Sequence, residues 1–222
     1  MSDAVIAIDG PAASGKSTVA GLLARRLGAV YVNTGNMFRA VTLAALREGV
    51  PCEEEALAQM LTHTRIRYAA APGGEYELEL NGEFPGAALR APEVAALVSP
   101  VAAVGCVREY LKKLQREFAG QGLIVMEGRD IGTVIFPNAK WKFFVTATPE
   151  ERARRRLAQS GENFDGATLE EVAKGIAERD RIDSQRAIAP LKPAPDAEIV
   201  DTTGMSIDEV VEMLAMKVTN EA

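Results

Sequence analysis

Histidine and cysteine are nearly missing from this chain of 222 residues, which has one histidine, His63, and two cysteines, Cys52 and Cys106. A single histidine argues against Ser-His-Asp chemistry and against a multi-histidine metal centre. The cysteines stand far apart and form no C-x-x-C, so neither a disulfide framework nor a zinc site is expected. Long hydrophobic runs are lacking too. The opening run Ala4 to Ile8 is far too short to span a bilayer and has no basic flank or cleavage signal. A cytoplasmic protein with no membrane partner is expected. Positive charge is in the minority, with a net charge of −6. Nucleic acid is therefore not an expected partner, and a local basic cluster suits a small anionic ligand better.

What remains is an ordinary globular composition, 47% hydrophobic and 25% charged, long enough for one large core with small attached lobes. Five short apolar runs, at 4–9, 30–33, 123–127, 141–146 and 197–201, read as strands covered on both faces because they are continuous and do not alternate. Helical stretches separate most of them, which predicts an α/β fold with a parallel sheet and right-handed crossovers. The C-terminal stretch from Ser206 has a serine cap and helical spacing. Two regions depart from the rhythm. Residues 64–90 contain Pro-Gly-Gly, an alternating stretch through Glu75–Leu80 and an Asn-Gly, which predicts a small antiparallel insert. Residues 150–166 are polar and break into Ser-Gly-Glu-Asn, as a surface flap would. No internal repeat or low-complexity linker is found.

The first strand runs into Gly10, Pro11, Ala12, Ala13, Ser14, Gly15, Lys16, Ser17 and Thr18, a phosphate-binding (Walker A) pattern followed by helical spacing. The glycines let backbone N–H groups face phosphate oxygens, and the helix N-terminus adds positive potential. Lys16 is placed to bridge the β- and γ-phosphates of a nucleotide and the Ser17 hydroxyl to ligate Mg²⁺. The alternative is a glycine-rich turn that binds nothing. No Asn-Lys-x-Asp stretch follows, which disfavours a guanine-specific switch protein.

Arginines form further groups. In the flap, Arg152, Arg155 and Arg156 share a helical face at about 100° per residue, with Arg154 pointing away. Glu150 stands four before Arg154 and Glu151 four before Arg155, which leaves Arg152 and Arg156 as an unrelieved like-charge pair. A lid over a transferring phosphate and a solvated basic face are both compatible with this. Arg179, Asp183 and Arg186 lie on one helical stripe, either a ligand site or a structural ladder. Arg39 follows a helix start at Thr34-Gly35, where a phosphate or simply a Thr34 cap is expected. Finally, Glu127, Arg129 and Asp130 end a buried hydrophobic run. Such charges must pair with one another, bind something or stay wet.

The stretches IDGPAASGKST, NTGNMFRA, EGRDIGTVIFP and ERDRIDSQRAIAPL, in this order and spacing, resemble the bacterial cytidylate kinases over essentially the whole chain. The resemblance implies the P-loop nucleoside monophosphate kinase fold, with a five-stranded parallel sheet. Residues 1–33, 106–149 and 167–222 would form the core, 34–105 a monophosphate-binding lobe carrying the insert, and 150–166 an arginine-rich lid. It implies ATP-dependent phosphorylation of CMP and dCMP with Mg²⁺ by a monomer. Carried over by position, Ser99, Arg108 and Asp130 would contact cytosine. Arg179 and Asp183 would lie near the ribose, and Thr34, Arg39, Arg129 and Arg186 near the CMP phosphate. Lys16, Arg152 and Arg156 would serve catalysis, Arg155 would bind ATP, and Glu127 would reach the metal through water. The chain departs from relatives with Asn33-Thr34 where Asp-Ser is common, Glu127 where Asp is often found, and Ser184 where an arginine can occur. A regulatory nucleotide-binding protein that does not turn over is the alternative from another class.

Overall fold

In a computed structural model that describes residues 4–72, 76–120, 122–159 and 166–220, the five apolar runs lie side by side as one parallel sheet. They are β1 (Val5–Asp9), β2 (Val30–Asn33), β5 (Ile124–Gly128), β6 (Trp141–Thr146) and β7 (Glu198–Asp201), in the spatial order β2-β5-β1-β6-β7. The helices between them are α1 (Lys16–Leu27), α2 (Thr34–Glu48), α3 (Glu54–Leu61), α4 (Pro92–Ala103), α5 (Gly105–Arg116), α6 (Pro149–Ala158) and α7 (Leu169–Gln185), and α8 (Ile207–Asn220) follows the last strand.

The central strands have no polar face because both faces are covered. On β1, Ile6 and Ile8 pack with Val19, Leu23, Val210 and Leu214 of α1 and α8. Val5 and Ala7, pointing the other way, pack with Phe118, Met126, Ile131 and Ile135. Burial on both sides breaks down at the sheet edge, where Ile199 of β7 is 62% exposed. That edge position could not be told from a central one by composition.

A second apolar cluster joins α2, α3 and α5 to a small antiparallel pair, β3 (Ile66–Ala70) and β4 (Tyr76–Leu80). Leu78 and Leu80 point into it, and Glu79 pairs across the strands with Arg67 at 2.7 Å. The expected alternation is thus realised over Tyr76–Leu80. Glu75 and the turn residues Gly73 and Gly74 lie outside the described residues, as do 160–165 of the expected flap. The Asn81-Gly82 turn follows β4, with both residues at positive φ, and returns the chain to a single bridge between Leu80 and Glu83.

Helix ends obey local chemistry. Ser206 and Glu209 cap α8 reciprocally, and Thr168 and Glu171 form the same box on α7. Among the described residues no single helix is long and apolar enough to cross a membrane.

Candidate active site

The site lies where β1, β2 and β5 end side by side, since parallel strands bring their C-terminal loops to one edge of the sheet. From β1 the chain enters the phosphate loop at Gly10, which has φ +152° and where an added Cβ would stand 2.0 Å from the Val145 carbonyl oxygen. No other residue fits that approach. Lys16 opens α1, buried, with its Nζ donating to the Pro11 carbonyl at 2.8 Å. Burial, and after it the Arg129 guanidinium, pushes the Lys16 ammonium well below its ordinary range. The Ser14 hydroxyl is buried in the loop without a hydrogen-bond partner. A cradle with a retracted lysine and an orphan hydroxyl is built for anionic oxygens.

At the neighbouring strand ends, Glu127 of β5 lies level with Asn33 of β2. Its carboxylate accepts from Ser17 Oγ at 2.8 Å and from the Tyr31 hydroxyl at 2.8 Å. Burial, then Glu127, pushes the Tyr31 phenol above its usual range. Thr34 Oγ1 donates to the Glu127 carbonyl at 2.7 Å. The cap of α2 is therefore Asn33, whose side chain accepts from Asn36 N, and not Thr34. Gly128 allows this crowding, because a Cβ there would meet Ile131 at 2.7 Å and Thr34 Oγ1 at 2.8 Å. The Ser17 hydroxyl and Glu127 carboxylate are hard oxygen donors converging beside the phosphate loop. Mg²⁺ ordinarily takes one or two protein oxygens plus phosphates and waters, so this pair fits it.

The three charges of the EGRD stretch separate. Glu127 faces Ser17 and Tyr31, Arg129 donates to Asp183 at 2.9 Å, and Asp130 receives Arg108 Nη2 at 2.5 Å with Arg186 3.6 Å away. Neither acid pairs with Arg129. Asp9, at the end of β1, accepts from the N–H groups of Ile131 and Gly132, both at 2.8 Å, and so anchors the single π-helical turn (Ile131–Ile135) that follows Asp130.

A cavity of about 430 Å³ runs from the phosphate loop past Glu127 to Asp130. Of the expected residues it is lined by Ala13, Ser14, Gly15, Lys16, Ser17, Thr18, Thr34, Arg39, Ser99, Glu127, Arg129, Asp130, Arg156, Arg179, Asp183 and Arg186. Gly10, Pro11, Ala12, Arg108, Arg152 and Arg155 stand behind its walls. Four of the arginines feel burial first and a neighbouring guanidinium next, Arg129 for Arg39 and Arg179, Arg39 for Arg156 and Arg108 for Arg186: Arg39, Arg156 and Arg186 are pushed down to about 10 and Arg179 to about 9. Asp183 stays below the ordinary carboxylate range although burial opposes this, because Arg129, Arg179 and Arg186 surround it. Such a cluster is short of negative charge.

The flap arginines on α6 do not form the unrelieved pair that their spacing predicted. Arg152 is buried and paired with Asp180 of α7, and it also donates to the carbonyls of Ala147 and Ala12, both at 3.2 Å. Arg155 pairs with Glu151 and reaches the Ser14 and Thr202 carbonyls at 3.2 and 2.9 Å. Arg154 meets Glu151 at 3.5 Å rather than Glu150. Arg156 alone of the four lines the cavity. Four participants carried no signal in sequence: Asp9, Tyr31, Asp180, and Arg90, which lines the cavity and depresses Arg39. Each owes its place to a partner distant along the chain.

The family model for cytidylate kinase matches residues 6–220. A cytidylate kinase of Pelotomaculum thermopropionicum is 46% identical over 96% of this chain and 95% of its own length. One of Desulforamulus reducens is 49% identical over 94% of each chain. The solved structure of an uncharacterized protein from Eubacterium ventriosum superposes with a TM-score of 0.56 at 14% identity, over 99% of each chain, and shares the fold. With a phosphate loop and an arginine cluster at one sheet edge, and with these relatives along its whole length, the chain belongs to the cytidylate kinase family.

Proposed function

We propose that this protein transfers the terminal phosphoryl group of ATP to CMP and dCMP, with Mg²⁺ as cofactor. The observation that supports this best is the continuous cavity, which opens on the phosphate loop at one end and on Asp130 at the other, with Arg39, Arg129, Arg156, Arg179 and Arg186 between. Two anionic ligands placed end to end would neutralise that cluster.

In this reading the loop from Gly10 to Thr18 cradles the ATP phosphates, and Lys16 leaves the Pro11 carbonyl to meet them. Arg39, Arg129 and Arg186 hold the acceptor phosphate, with Thr34 beside it. Arg179 and Asp183 orient the ribose, while Ser99, Arg108 and Asp130 read the base. The acceptor is a phosphate oxygen, already largely deprotonated near neutral pH, so no general base is needed. Catalysis is then positioning and charge compensation. Bound Mg²⁺, ligated by Ser17 and approached through Glu127, would neutralise charge on the transferring phosphates. Arg156 faces that region. For Arg152 to join it, the pair with Asp180 has to open as the lid closes. Residues 34–105 and 150–166 act as the lobe and lid that close on the core, excluding water that would otherwise hydrolyse ATP.

A coupled assay for ADP, with CMP, dCMP, UMP and AMP offered separately, tests the proposal. Release of ADP is expected with CMP and dCMP well above UMP and AMP. No monophosphate-dependent release would overturn it in favour of a nucleotide-binding protein that does not turn over.

A further inference from the structure

We infer that Tyr31 is a positioning residue for the Glu127 carboxylate, aimed toward the metal by a hydrogen-bond chain whose direction Asn33 sets. The inference rests on the kinase reading, in which Glu127 serves Mg²⁺.

The direction of the chain follows from the helix cap. Asn33 Oδ1 accepts from Asn36 N at 3.0 Å, which fixes the amide, so the group facing the Tyr31 oxygen at 3.2 Å is Nδ2. An amide NH₂ only donates, and Tyr31 must accept from it. The single phenolic proton is then free for one acceptor. Glu127 Oε1 stands at 2.8 Å and is a carboxylate, whereas the Ser17 carbonyl stands at 3.3 Å and is neutral. The shorter, charge-assisted bond wins.

The result is a carboxylate held at one oxygen from the β2 side. The other, Oε2, is bonded to the Ser17 hydroxyl at 2.8 Å, the group expected to turn to the metal. Sheet geometry makes this possible: Asn33 and Tyr31 share one face of β2, and Asn33 is level with Glu127 on β5. Glu127 and Asn33 belong together in this arrangement. Glutamate has one more rotatable bond than aspartate, so its carboxylate needs an anchor to keep a fixed aim. Asparagine at position 33 supplies a donor to Tyr31, where an aspartate would compete with Glu127 for the phenolic proton.

Isothermal titration with ADP without metal, then Mg²⁺ titrated into the ADP complex, tests this on the wild type, Tyr31→Phe, Glu127→Gln and the double variant. Phenylalanine keeps the ring, so metal-free ADP binding should change by less than about twofold. Tyr31→Phe should raise the half-saturating Mg²⁺ concentration about tenfold, and should add nothing in the Glu127→Gln background. An unchanged Mg²⁺ affinity, or the same loss in both backgrounds, would overturn the inference and return Tyr31 to a packing role. If the wild type and variants behave as expected but no monophosphate yields ADP, the positioning role stands and the kinase reading fails.

Discussion

In the proposed reading Asp130 would read the base, through a geometry that its neighbours define. Its Oδ2 is taken by Arg108 at 2.5 Å, while Arg186 stays 3.6 Å from Oδ1, too far for a hydrogen bond. One oxygen therefore keeps a lone pair for the cavity, suited to an exocyclic amino group and not to a carbonyl. In Asp130→Asn, Arg108, which only donates, would select the amide oxygen and turn the NH₂ toward the base. That NH₂ opposes the cytosine N4 amino group and matches uracil O4. We predict that kcat/KM for CMP falls by roughly ten- to a hundredfold while that for UMP holds or rises. Equal losses on both nucleotides would remove the base-reading role.

At the scale of an element, α6 divides its arginines by partner. Helical periodicity puts Arg152, Arg155 and Arg156 on one face, but three different neighbours claim them: Asp180, the Thr202–Ser14 carbonyl pair, and the cavity. The three should respond differently to truncation. Arg156→Ala should lower kcat by more than about tenfold and leave the KM for CMP nearly unchanged, as steady-state kinetics would reveal. Arg152→Ala leaves Asp180 beside the loop without its guanidinium, and should cost about 2 kcal/mol of stability in urea unfolding. An Arg152→Ala protein of wild-type stability would mean that the pair with Asp180 holds nothing in place.

At the scale of the molecule, Asp9 links the end of β1 to the π-helical turn after Asp130, through the N–H groups of Ile131 and Gly132. Burial raises its carboxyl from 3.8 to about 6, against the lowering effect of the two N–H bonds. Between those values the folded state binds a proton that the unfolded chain does not. The stability Asp9 contributes is therefore full below about 3.8 and is lost as pH rises through about 6. Between pH 5 and pH 7 the wild type should lose roughly 1 kcal/mol relative to Asp9→Asn. Urea unfolding of both proteins at the two pH values measures this. Parallel pH profiles would show that Asp9 ionises alike folded and unfolded.

What could be read along the chain was what depends on neighbours along the chain. The Walker A pattern is a contiguous stretch, Gly10 to Thr18, legible without knowledge of the fold. The five strands announced themselves because burial on both faces leaves no polar alternation, and Ser206 and Glu209 close α8 from three residues apart. The family resemblance also named Arg129, Asp130, Arg179 and Asp183. Sequence did not supply the pairing of charges. Arg152 was expected to face Arg156 and instead meets Asp180, 28 positions on; Tyr31 reaches Glu127 across 96 positions, and Asp9 reaches Gly132 across 123. Periods of 2 and 3.6 fix which face a side chain occupies, not what lies opposite it. Only the packing of parallel strand ends decides that, because a buried charge takes whichever partner the fold brings within reach.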